Sequence, residues 1–276
     1  MSAVLIERAR RALPEIRYEL NAPVVDIVEN TKHALTLGLP QATPHETQST
    51  PIAIACGGPS LEHSFEDLKE KHSNGMKVVS VNGSHDWLLE RGIRPSAHVM
   101  IDSRPFNKRF VENWQPETRY LIASQCHPET FKALEGANVM LFHCISTDEE
   151  LDILDEHYCL NRWESIYPVS GGSTVSLRTI PLMRMLGFTH MELYGFDSCI
   201  MDGKHHAYQQ DENEENNVGI VTIDGRDFYC HPWMHSQAKE FLKMVRAIGD
   251  KFELIVHGDG LIANILKAAV KLKEEM

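Results

Sequence analysis

Pro51-Ile52-Ala53-Ile54-Ala55-Cys56-Gly57-Gly58-Pro59-Ser60 is a short apolar run that breaks into a glycine turn. The run is too short for a helix and reads as a buried strand, and residues 61–71 after the turn read as a helix. The same alternation continues downstream. Residues 77–81 form a second strand and 84–91 a helix closed by Gly92. Strands follow at 97–101, 120–123 and 139–142, with 128–134 helical between the last two. Helices are predicted at 148–157 and 173–186, and a strand at 190–194. A hairpin over 220–230 turns at Asp224-Gly225. A helix at 233–248, a strand at 252–256 and a helix at 261–274 complete the pattern. Short apolar strands alternating with helices predict right-handed βαβ units. The fold class is therefore α/β, with a mostly parallel sheet covered by helices on both faces.

Upstream of this pattern, Ile6, Ala9, Leu13, Ile16 and Leu20 recur at helical spacing, and the periodicity resumes after Pro23. Residues 1–38 are read as an N-terminal helical arm. Residues 39–50 are polar and contain Pro40 and Pro44, so they are read as a linker, with 51–276 as the main domain. The 276 residues carry 27 Lys+Arg against 39 Asp+Glu, a formal charge of −12. That balance argues against a general nucleic-acid binder, which needs a basic surface. No apolar run reaches the ~20 residues of a membrane helix. The first residues lack the apolar core and small-residue cleavage site of a signal peptide. Six cysteines without a C-x-x-C pair suit reduced thiols, and a cytoplasmic location is expected. The acidic stretch 211–217 reads as a solvated loop, and 211–235 as a lid or acceptor wall. Nothing in the sequence specifies an oligomeric state.

In an open parallel sheet, ligands bind at the carboxyl ends of the strands. The residues expected there are small or polar: Gly57, Gly58, Pro59 and Ser60 after the first strand, Asn82 after the second, Asp102 after the third, and Asp197 after the strand at 190–194. Gly171-Gly172-Ser173-Thr174 opens the long helix. Both glycine turns place backbone N–H groups at a helix start, where negative charge is favoured. Neither is a Walker A loop or a G-x-G-x-x-G turn. Each alone is equally well read as a tight turn with a serine cap. His205, His206 and Tyr208 lie downstream of Asp197, and a histidine beside such a crevice has the pKa range of a general base. Cys230, His231 and His235 form an incomplete zinc set.

Taken in order, these residues resemble the Maf (motility accessory factor) and MptE-like family, which is related to bacterial sialyltransferases that use CMP-sialic acid. Ile54-Ala55-Cys56-Gly57-Gly58-Pro59-Ser60-Leu61 is similar to the family's G-x-G-P-S-L opening. Gly92-Ile93-Arg94-Pro95 with Asp102, Gly171-Gly172-Ser173-Thr174-Val175, and Gly195-Phe196-Asp197 with His206-Ala207 are similar to its later motifs. The resemblance implies a Rossmann-like fold and transfer from a nucleotide donor to a hydroxyl acceptor. In one branch a nonulosonic sugar moves from CMP. Gly57, Gly58, Pro59, Ser60, Asn82, Asp102, Gly171, Gly172, Ser173 and Thr174 would then hold the nucleotide. His206, Asp197 and Tyr208 would be catalytic, His206 as the base and Tyr208 as donor to the leaving phosphate. In the other branch diphosphate moves from ATP with Mg²⁺ to a pterin-like hydroxymethyl group, with Asp102 and Asp197 as metal ligands. A non-catalytic nucleotide-binding module is a third reading.

Overall fold

A computed structural model describes residues 22–161, 167–169, 171–210, 217–248 and 252–274. The helix expected before residue 22 and the acidic residues 211–216 lie outside them. Seven strands form one sheet: β1 (Ile52–Ala55), β2 (Lys77–Val81), β3 (Ala97–Met100), β4 (Arg119–Ala123), β5 (Asn138–Phe142), β6 (His190–Tyr194) and β9 (Glu253–Val256). Their order is β5-β4-β3-β2-β1-β6-β9, and every neighbouring pair is parallel. The Rossmann-like α/β fold is the one expected. β7 (Gly219–Ile223) and β8 (Arg226–Cys230) form the separate hairpin, closed by Asp224 and Gly225 with φ of 49° and 79°. Two successive left-handed residues give the type I′ turn whose twist matches the strands.

The helices are α1 (Val24–Thr36), α2 (Ser60–His63), α3 (Phe65–Ser73), α4 (Ser84–Leu89), α5 (Pro128–Ala133), α6 (Asp148–Asn161), α7 (Val175–Met185), α8 (Pro232–Ile248) and α9 (Leu261–Glu274). The sheet divides the core into two clusters. Ile52, Ile54, Val79, Val99 and Leu193 point to one side; Ala53, Ala55, Val78 and Tyr194 point to the other, among Leu61, Leu68 and Trp87. This is the two-residue alternation of strands whose faces are both covered.

Two local expectations change. The helix expected over 61–71 is broken at Ser64, whose hydroxyl donates back to the Ser60 carbonyl at 2.7 Å and whose backbone leaves helical geometry. A serine that bonds its own backbone competes with helix continuation. The sequence pattern also missed a 3₁₀ helix at Pro105–Phe110, which follows β3.

The segment 39–50 lies along the fold. The Ala42 N–H donates to Leu141 at the outer edge of β5, and Gln48 N–H donates to Gly187. It covers an otherwise open parallel edge. α1 docks through Asn30, whose Nδ2 donates to the carbonyls of Ser103 and Gln125, both at 3.1 Å. Among the described residues no helix is long and apolar enough to cross a membrane.

Candidate functional site

The chain runs outward from β1 to β5 and then returns to β6 on the other side of β1. The β1/β6 boundary is therefore the topological switch point, where a crevice opens at the strand ends. A cleft of about 740 Å³ lies there. It brings together Gly57, Gly58, Asn82, Asp102, Gly172, Ser173 and Thr174, with Asp197, His206 and Tyr208. The two glycine turns, more than 110 residues apart, face one cavity. Pro59, Ser60 and Gly171 are not in its lining. Pro59 and Ser60 are buried behind it as the start of the four-residue α2.

Two of the donors expected of the first turn are committed within the protein. The Gly58 N–H is bonded to the Gly195 carbonyl at 2.8 Å, and the Ser60 N–H to the Asp197 carboxylate at 2.8 Å. What the turn supplies is close approach. A side chain at Gly57 would meet the Tyr208 hydroxyl at 2.5 Å and His206 Cδ2 at 3.0 Å. A side chain at Gly83 would also strike the Tyr208 ring. Two glycines thus let Tyr208 and His206 lie flat against the backbone. Burial pushes the Tyr208 phenol up, so it stays a protonated donor at neutral pH.

The second turn does hold an anion, one of the chain's own. Glu240 of α8 accepts from the Ser173 N–H at 3.0 Å and the Ser173 hydroxyl at 2.8 Å. Thr174 caps α7 by accepting from Leu177 N–H, and it also accepts from Gln237 Nε2 at 2.9 Å. Arg178 fixes the approach by donating to the carbonyls of Gly172 and Val169. A carboxylate on these donors is what an anion site at a helix start would take.

His206 is half-buried and lies parallel to Trp233, ring centres 6.5 Å apart. His205 also lines the cleft, and its Nε2 is 3.1 Å from Nε2 of the buried His231. His231 Nδ1 is 3.0 Å from the Asn217 carbonyl, which can only accept, so Nδ1 carries the proton. Cys144 and Cys199 reach the cleft too, but burial pushes both thiols up to about 12 and leaves them protonated and unreactive.

The two carboxylates expected to hold Mg²⁺ do not fit that role as placed. Both oxygens of Asp102 are taken by Arg104, at 3.0 and 2.7 Å. Asp197 is 3 % exposed, spends one oxygen on Ser60, and is pushed up by burial to about 6. A hard cation needs charged oxygens open to it. Among the described residues, Asp67, Glu192 and His257 do bring ligand atoms within 4.8 Å of one another. Lys71 already sits there, 2.6 Å from Glu192 and 3.2 Å from Asp67, and balances their charge. His231 and His235 do not join Cys230 in any such group among the described residues.

Arg104, Gln125 and Ser146 line the cleft as residues that directly follow predicted strands, while Ile27, Asn107, Arg178, Trp233 and Gln237 escaped the sequence reading. Gln237 and Glu240 share one face of α8 by their three-residue spacing. Which strand end that face meets is not a local property. Asn82 did carry a signal, because its backbone is left-handed (φ 46°), a conformation that favours Asn after Gly.

The fold is similar to that of the Maf glycosyltransferase from Magnetospirillum magneticum AMB-1, with a TM-score of 0.66 and 16 % identity over 92 % of this chain. The chain spans 42 % of that protein's length. A mammalian sialyltransferase aligns with a TM-score of 0.39 and 11 % identity over 92 % of this chain and 86 % of its own. No curated protein matches by sequence. The model of the family described as 6-hydroxymethylpterin diphosphokinase MptE-like matches residues 26–203, from α1 to the loop just before His205. That match covers more than half of the chain, and the protein belongs to the MptE-like family.

Proposed function

We propose that the protein is a nucleotide-dependent transferase that moves a sugar from a CMP-nonulosonate type donor to a hydroxyl acceptor. The observation that carries this is the shared cleft, in which an anion-holding turn at Ser173 faces His206 and Tyr208 across the switch point. His206 takes the proton of the acceptor hydroxyl. The acceptor oxygen attacks the anomeric carbon, and the bond from that carbon to the phosphate oxygen breaks. CMP leaves with the electron pair, stabilised by donors at Ser173 and by the Tyr208 hydroxyl. Glu240 must vacate Ser173 for the phosphate to enter.

The second reading is diphosphate transfer from ATP to a pterin-like hydroxymethyl group, and the family match favours it. The commitment of Asp102 to Arg104 and of Asp197 to Ser60 weighs against it. Incubation with CMP-, UDP- and GDP-sugars and a hydroxyl acceptor, and separately with ATP, Mg²⁺ and 6-hydroxymethylpterin, separates the two. Release of CMP, UDP or GDP supports sugar transfer, and release of AMP alone replaces it with diphosphate transfer. His206→Gln is expected to lower turnover about 100-fold, the usual worth of a positioned base, with donor affinity little changed. Turnover equal to wild type would remove His206 from the reaction.

Glu240→Gln tests the second turn. The amide keeps an acceptor for Ser173 but loses the charge that competes with phosphate. CMP should bind about threefold tighter in low salt, the scale of one exposed charge at a helix start. Titration calorimetry reads this directly. Weaker CMP binding would mean that Glu240 supports the turn and does not compete for it.

A further inference from the structure

The cleft continues past the switch point, over the ends of β3, β4 and β5, and that half is built differently. Three isoleucines line it: Ile27 from α1, Ile101 after β3 and Ile145 after β5. Gln125, after β4, ties them together. Its Nε2 donates to the Ile101 carbonyl at 2.6 Å, its Oε1 accepts from the Ser146 hydroxyl at 3.1 Å, and its own carbonyl accepts from Asn30, one turn along α1 from Ile27. Asp102 and Arg104, which follow β3 at this end, are paired with each other at 3.0 and 2.7 Å. Asn107 lines this end, is 3 % exposed, and its Nδ2 has no partner. Leaving a buried amide unpaired costs about 1–3 kcal/mol, so a structure that keeps one beside a cavity points to a ligand atom as its partner.

We infer that this end of the cleft is the slot for the donor's nucleobase. The inference rests on the transferase reading and deepens it. Isoleucine walls with a buried unmet amide suit a planar heterocycle with a polar edge; a sugar would need several polar partners. The spacing agrees. Strands about 4.8 Å apart place the end of β3 about 10 Å from that of β1, one nucleoside away from a phosphate held at the switch point. Asn82, at the end of β2 between them, has an unpartnered Oδ1 placed to accept a ribose hydroxyl. The donor thus lies across successive strand ends, phosphate at β1/β6, ribose at β2 and base at β3 to β5. α1 serves as the outer wall of the base slot.

Methyl-labelled isoleucine spectra of the full chain test this without any substitution. CMP and AMP, the bases of the two donor readings, should be compared with ribose 5-phosphate, which has no base. The ring current of a bound base should shift the methyls of Ile27, Ile101 and Ile145, and ribose 5-phosphate should leave them in place. Whichever nucleotide moves them identifies the donor. Asn107→Ala should weaken that nucleotide about tenfold and leave ribose 5-phosphate within about twofold. A nucleotide that binds with the three methyls unmoved, or an Asn107→Ala variant that weakens both ligands equally, overturns the slot and leaves the transferase reading standing. So does 6-hydroxymethylpterin moving the methyls while both nucleotides leave them still. A wild-type chain that binds neither nucleotide nor nucleotide sugar removes the transferase reading and the slot with it.

Discussion

Gly58→Ala should lower stability by about 3 kcal/mol and abolish binding of the donor. The added methyl would meet the Asp197 carboxylate and, at 2.6 Å, the Gly195 carbonyl oxygen. Neither can retreat. The Gly195 oxygen is held by the Gly58 N–H itself, and the Asp197 carboxylate by the Ser60 N–H. Gly195 is also confined, because it sits at φ 64° with the Gly58 carbonyl 2.9 Å from where its own Cβ would lie. The loops after β1 and β6 therefore touch backbone to backbone at the switch point. A methyl forces them apart and opens the floor of the cleft. Gly203→Ala is the control. Its φ is 71° and nothing lies within 4 Å of the added carbon, so it should cost only about 1 kcal/mol of backbone strain. Urea unfolding of both variants reads the difference. Equal losses would show that the close approach at Gly58 carries no weight.

Asp197→Asn should change how stability depends on pH. Burial pushes the Asp197 carboxyl from 3.8 up to about 6. A folded value above the unfolded one means that its contribution to stability is fully present below pH 3.8 and is lost as pH rises through 6. His143 works in the opposite direction. It is buried between the Ser124 and Tyr158 hydroxyls, and burial pulls it from 6.5 to about 4. Its contribution is present above pH 6.5 and is lost as pH falls through 4. His98, also buried, is lowered in the same way. Between pH 6.5 and 4 the aspartate therefore offsets part of the histidine loss. The asparagine variant lacks that offset and should lose about 2 kcal/mol more than wild type over this range, while at pH 7.5 it should be at least as stable. Urea midpoints at five or six pH values provide the check. Parallel curves for the two proteins would show that Asp197 does not titrate in the folded state as its burial requires.

The pH experiment also separates two roles for Asp197. If the carboxylate serves to tie the loop after β6 to the start of α2, the uncharged amide can still accept from the Ser60 N–H. Donor binding then survives in Asp197→Asn. If the charge itself meets the ligand, binding falls even at pH 7.5, where the fold is intact.

Much of this protein is legible before it folds, and the particular residues show why. Ile52-Ala53-Ile54-Ala55 and Lys77-Val78-Val79-Ser80-Val81 are short, apolar and bounded by turns, which is all a strand buried on both faces requires. Once the strands are parallel, their carboxyl ends must lie on one side. Gly57, Asn82, Asp102 and Asp197 are then neighbours without any further information. Asp224-Gly225 closes its hairpin for an equally local reason, the left-handed backbone those residues tolerate.

The chemistry of the cleft depends on partners that no local pattern names. Glu240 meets Ser173 across 67 residues, Asn30 meets Gln125 across 95, and Asp197 meets Ser60 across 137. Whether a turn has free amides, whether a carboxylate is open to a cation, and whether an N-terminal helix is an appendage or a wall all turn on such contacts. Short-range propensity acts over a few residues and sets the elements. Hydrogen bonding and burial act through space, and they alone settle which donors, acceptors and charges remain for a ligand.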